Sequence, residues 1–151
     1  MANERAKRVY VASSWRNAFQ LKVVNCLRSA GYDVYDFKDV EGFHWSEVDP
    51  LWKEWTPQAY ILGLSHGCAN RGFERDMKAL RECDLCVYVM PCGPSASMEM
   101  GFAIGSGKPT AVFIPALREP DLMVKMADFI TDDLQMIVSW ADRRSAEIGR
   151  G

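Results

Sequence analysis

Between Pro91 and Pro109 the chain reads PCGPSASMEMGFAIGSGKP, and Glu99 is its only charged residue before the closing Lys108. Met98, Met100, Phe102, Ala103 and Ile104 surround Glu99 with apolar groups, and glycines and serines flank the run. A helix N-terminus favours an anion, whereas apolar surroundings push a carboxylate pKa upward. A carboxylate held between those influences suits nucleophilic or base chemistry. The competing structural role is a first-turn acid that complements the helix dipole with its head in water. Ser95 is the expected N-cap after the turn-forming CGP, which puts Glu99 in the first turn, one residue beyond the place of a capping-box acid.

Two further carboxylates lie in RDMKALRECD. Asp76 falls on a predicted helix and, on spacing alone, reads as a solvated helix residue. Asp84 opens the next strand and reads as a turn or strand-start residue. Cys83 and Cys86 form a CxxC, but no second such pair exists, and His44 and His66 are far away in sequence. Buried reduced thiols are the expectation, with no metal site. GSGKPT fails as a phosphate loop, because Phe102 and Pro109 stand where that motif needs a glycine and a hydroxyl residue. It reads as a helix stop.

Apolar runs near 8–13, 32–37, 84–90 and 109–115 predict buried strands, and LQMIVSW near 134–140 predicts a weaker fifth. Helical patterns over 17–31, 72–83 and 95–107 separate them, stopping at Gly31 and at Gly105 or Gly107. This alternation predicts a single α/β domain: a doubly wound, mostly parallel five-stranded sheet. An insertion over 38–71 carries Trp45, Trp52 and Trp55 and is expected to be a lid or a satellite hydrophobic cluster.

The bulk numbers narrow the class. With 151 residues, 48% hydrophobic and 25% charged, the chain has the make-up of one globular domain. A net charge of -2 without a basic run argues against a nucleic-acid partner. The polar start MANERAKR and short apolar runs predict neither a leader peptide nor a membrane span. Five irregularly spaced cysteines point to a reducing, cytoplasmic setting.

VYVASSW, RDMKALRECDLCVYVMP, SASMEMGFAIGSGKP and EPDLM together resemble the nucleoside 2-deoxyribosyltransferases and their relatives, the 2′-deoxynucleoside 5′-phosphate N-hydrolases. The resemblance runs from about residue 8 to residue 123, excluding the insertion, and is most specific over the segment around Glu99. It implies a flavodoxin-like sheet, a small-molecule nucleoside or nucleotide as substrate, no cofactor, and a homo-oligomer of two or more subunits. Glu99 would attack the anomeric carbon, Asp76 would handle protons at the base or position the sugar, and Tyr10 would orient Glu99. Trp15 matches the base-stacking aromatic residue of the transferases. Ser14 and Arg16 match the phosphate grip of the N-hydrolases. Ser95 and Ser97 would add donors for phosphate or sugar, although capping competes for both.

Gly93 departs from both branches, since transferases carry an aspartate there and N-hydrolases tend to carry a serine. Asp121 and Met123 occupy the segment that in transferases reads NLM and reaches a neighbouring subunit. Two other readings stand beside the leading one. Ser95-x-x-x-Glu99 resembles the spacing in Toll/interleukin-receptor-like NAD hydrolases. A non-catalytic nucleotide-binding or sensor module is favoured by Gly93 and Asp121, and disfavoured by the joint presence of Tyr10, Asp76 and Glu99. The segment around Trp140 is a candidate subunit interface.

Overall fold

The computed structural model describes residues 7–39 and 42–149. Among these, β1 (Arg8–Ala12), β2 (Asp33–Tyr35), β3 (Leu85–Val89), β4 (Thr110–Phe113) and β5 (Phe129–Thr131) form one five-stranded sheet in the order β2-β1-β3-β4-β5. Every pairing is parallel. The helices are α1 (Gln20–Ser29), α2 (Pro57–Gly63), α3 (Gly67–Glu82), α4 (Pro94–Gly105) and α5 (Leu134–Ile148). This is the flavodoxin-like strand order, in which the chain reverses its winding between β1 and β3.

Strand side chains alternate between faces, so the register assigns each residue to a layer. Val9, Val11, Val34, Leu85, Val87, Val89, Ala111 and Phe113 share one core with Val23, Val24 and Leu27 of α1 and Ile137, Trp140 and Ala141 of α5. The opposite face carries the row Tyr35, Tyr10, Cys86, Thr110. Helix α4 packs on β1, β3 and β4 and buries Ala96, Met100 and Ala103. Its buried residues lie outside the first core, which places α4 over the second face.

One sequence expectation is corrected. LQMIVSW is the first half of α5, whose side-chain N-cap is Asp133. The fifth strand is the short FIT at 129–131, whose central Ile130 is exposed. Trp140 itself is 3% exposed, within the chain's own core, while Met136 on the same helix is exposed.

Helix ends explain several glycines. Gly31 and Gly107 take positive φ, +94° and +77°. After each, the chain makes the paired backbone bonds of a Schellman stop: Gly31 N to Arg28 O with Tyr32 N to Leu27 O, and Gly107 N to Ile104 O with Lys108 N to Ala103 O. Lys108 then donates its ammonium to the carbonyls of Arg81 (2.8 Å) and Cys83 (2.7 Å), capping the end of α3. Asp84 accepts the Arg8 N–H at 2.8 Å, as a strand-start residue does.

By contact density the chain divides into residues 1–36 with 80–151, and residues 37–79. The second unit has an aromatic centre of its own. Trp45 meets Phe43, Trp55 and Tyr60 edge-on, at 4.7, 5.5 and 5.7 Å between centroids. The Trp55 indole N–H donates to Asp49 at 2.7 Å, which holds that carboxyl below its usual range. Gly63 and Gly72 give the Trp55 and Phe43 rings room to approach the helix backbone. Among the described residues no helix is long and apolar enough to cross a membrane.

Candidate active site

Helix α4 begins at Pro94, so the residue at its N-cap is Gly93 rather than Ser95. Proline suits the first helical position because its missing N–H would have no helical partner there anyway. Ser95 is therefore inside the helix and exposed. Glu99 moves correspondingly deeper, past a first turn that holds no acidic residue. The helix dipole thus bears on it less than the sequence suggests, because that effect fades within a turn.

At 100° per residue, Glu99 borders the buried stripe of Ala96, Met100 and Ala103, which accounts for its half-buried state. Two thiols register its charge. Burial drives Cys86 well above its ordinary pKa, with Cys83 and then Glu99 adding to the rise. Burial also pushes Cys92 up to about 11, again with a contribution from Glu99. Cys86 pairs with Tyr10 in the sheet register, and Tyr10 is fully buried. Glu99 and Tyr10 therefore belong to the same face of the sheet, under α4. Asp76 lies on α3 within the 37–79 unit and is half-buried. Cys83, its thiol likewise raised by burial to about 11, and Cys86 remain protonated at neutral pH.

Open α/β sheets bind ligands beyond the carboxyl ends of their strands, at the point where the winding reverses. The loops after β1 and β3 meet at that point. Ser14, Trp15, Arg16 and Asn17 form a tight turn closed by Asn17 N to Ser14 O at 3.1 Å. Trp15 and Arg16 occupy its centre and are exposed, Trp15 by 52%. Gly93 lies on the β3–α4 loop, and a Cβ there would meet nothing within 4 Å. The aspartate or serine of the resembled families would fit without strain.

Ser97 is engaged internally. Its hydroxyl lies 3.1 Å from Gly93 O and 3.0 Å from the Tyr88 hydroxyl. With its one proton on the carbonyl, it accepts from Tyr88. Burial raises the Tyr88 pKa, and the charge of Asp121 contributes a smaller rise. The β4–β5 connection therefore approaches the same edge. Asp121 caps the short turn Leu122–Met126 through Met123 N at 2.9 Å, and Met123 is 56% exposed.

Asn17 is the residue that sequence reading missed. It is 6% exposed, and its side-chain amide donates to Val89 O at 2.9 Å and Pro91 O at 3.1 Å while accepting from Phe19 N at 2.8 Å. The available signal was an asparagine three residues ahead of α1, which by itself suggests only a turn. Among the described residues no group of side chains is arranged to hold a metal ion.

No protein-family model and no curated relative matches this chain. Solved structures do. A 2-deoxyribosyltransferase from Bacillus psychrosaccharolyticus aligns over 87% of this chain and 90% of its own, with TM-score 0.57 and 19% identity. The CMP N-glycosidase BcmB of Clostridium botulinum aligns over 90% and 99%, with TM-score 0.50 and 17% identity. The chain thus has the fold of a 2-deoxyribosyltransferase and of an N-glycosidase, the two kinds of enzyme to which its sequence motifs point.

Proposed function

We propose that the protein cleaves, or transfers at, the N-glycosidic bond of a nucleoside or nucleotide through a glycosyl ester on Glu99. The observation that carries this reading is a half-buried carboxylate on α4, sharing a sheet face with the buried Tyr10, in a fold common to a 2-deoxyribosyltransferase and an N-glycosidase. Glu99 attacks C1′ as the C1′–N bond breaks, and a covalent ester replaces that bond. Asp76 donates a proton to the departing base, and Tyr10 orients the Glu99 carboxylate. Water, or a second base, then attacks C1′, its O–H or N–H proton returns to Asp76, and the ester bond breaks to release the Glu99 carboxylate. No cofactor enters this scheme.

The exposed turn favours a 5′-phosphorylated substrate. Arg16 suits a phosphate through its paired donors, with Ser14 beside it, and Trp15 offers a stacking face for the base. The N-terminal end of α4, near Ser95, suits an anion as well. Gly93 withholds a carboxylate that would repel that charge. Asp121 and Met123 occupy the segment that in the resembled transferases reaches a neighbouring subunit's site, and a homo-oligomer is part of this reading on that ground.

The test is chromatography of free base after incubation with deoxynucleosides, their 5′-monophosphates, CMP and NAD, with and without an acceptor base. Release from a monophosphate that stops in Glu99→Ala supports the proposal. Binding of nucleotide with no turnover of any substrate supports a sensor module instead, the reading that Gly93 favours.

A further inference from the structure

Val89 ends β3, and its carbonyl attracts three side-chain donors: Asn17 Nδ2 at 2.9 Å, Cys92 Sγ at 2.7 Å and Ser13 Oγ at 3.4 Å. Asn17 alone of these also reaches Pro91 O, so it grips the last residue of β3 and the first half of the loop that leads into α4. Its own backbone N–H closes the turn that displays Trp15 and Arg16. Both amide protons and the amide oxygen are therefore used, on two different loops. An aspartate of identical shape would keep the bond from Phe19 N but would set a carboxylate against two carbonyl oxygens.

We infer that Asn17 is a positioning residue for substrate binding: it locks the Trp15–Arg16 turn to the β3–α4 loop and holds the ligand side of the site in shape. This inference rests on the N-glycoside reading for its effect on substrate. Glu99 depends on a different support, because α4 is held to the sheet by Ala96, Met100 and Ala103. Loss of Asn17 therefore falls on KM and leaves kcat nearly unchanged. A residue needed only for folding would produce no such split.

The test uses Asn17→Ala and Asn17→Asp in the full chain, with two readouts. The first is steady-state kinetics on whichever substrate the wild type turns over. Both variants should raise KM about tenfold, with kcat within about twofold of wild type. The second needs no substrate: the rate at which each cysteine reacts with a thiol reagent, read by peptide mass spectrometry. Cys92 shares the Val89 acceptor with Asn17, whereas Cys83 and Cys86 are buried elsewhere in the sheet layer. Cys92 should react about tenfold faster in both variants while Cys83 and Cys86 stay protected.

Unchanged Cys92 labelling, or a joint rise at Cys83 and Cys86, overturns the lock. Selective Cys92 labelling with a fall in kcat, or with unaltered kinetics, overturns the positioning role. A wild type that turns over no nucleoside, nucleotide or NAD defeats the proposed reaction and the substrate role that rests on it, while the labelling still decides whether the lock exists.

Discussion

The Tyr10 ring lies stacked on that of Tyr35, with centroids 5.3 Å apart and planes 18° from parallel. The two residues are register partners on β1 and β2, so the sheet itself sets the stack. Tyr10 is fully buried, and its ring position is thus fixed from the side by Tyr35. Tyr35→Leu removes the stack and should cost about 1 kcal/mol beyond the area lost. Tyr35→Phe keeps a ring there and should cost less. Urea unfolding measures both. If Tyr10 orients Glu99, base release should fall further in the leucine variant than in the phenylalanine one.

Lys108 offers a second check. Its ammonium binds two carbonyls at the end of α3, so Lys108→Met should destabilise the fold by about 1–2 kcal/mol. The lysine has no part in the proposed chemistry, and kcat should hold. A large loss of kcat with unchanged stability would instead assign it to the reaction.

Gly63 and Gly72 reverse a familiar sign. Replacing a glycine inside a helix, as Gly72 is in α3, by alanine ordinarily stabilises by about 1 kcal/mol, and by less at a helix end such as Gly63 in α2. A Cβ at either site would come within 2.6 Å of the Trp55 or Phe43 side chain. Gly63→Ala and Gly72→Ala should therefore destabilise, by about 1–3 kcal/mol, and alter tryptophan emission. Thermal melts followed by fluorescence decide the sign.

Tyr32 predicts an alkaline limb. Burial, then its bond to Asp142 at 2.6 Å, raises its pKa from 10.0 to about 12. The unfolded chain gives up that proton first, so the contribution is whole below about pH 10 and disappears as pH climbs toward 12. Melting temperatures of wild type should fall over that interval, and Tyr32→Phe should lack this component of the fall.

Much of this architecture is legible in the residues. Within β1, β3 and β4, VYVA, LCVYV and AVF are continuous apolar runs, as strands buried on both faces must be. LQMIVSW misled because neighbouring apolar residues hide its helical spacing: Leu134, Ile137, Trp140 and Ala141 pack inward, while Met136 is exposed. Asp133 ahead of it was the cap signal. FIT is three residues at a sheet edge, too short to show a period. At the site, Glu99 stands out as a lone carboxylate. Tyr10, on the same side of the sheet, looks like any core strand residue, and Asn17 acts through carbonyls more than seventy residues away that sequence does not bring together.

The most direct measurement of the central claim is mass spectrometry of the protein quenched within its first turnovers on a deoxynucleoside 5′-monophosphate. The account predicts a sugar-phosphate adduct on the peptide containing Glu99, with one equivalent of base released, and neither in Glu99→Ala. Base released at full rate by Glu99→Ala, or turnover by wild type with no adduct at Glu99, would contradict it.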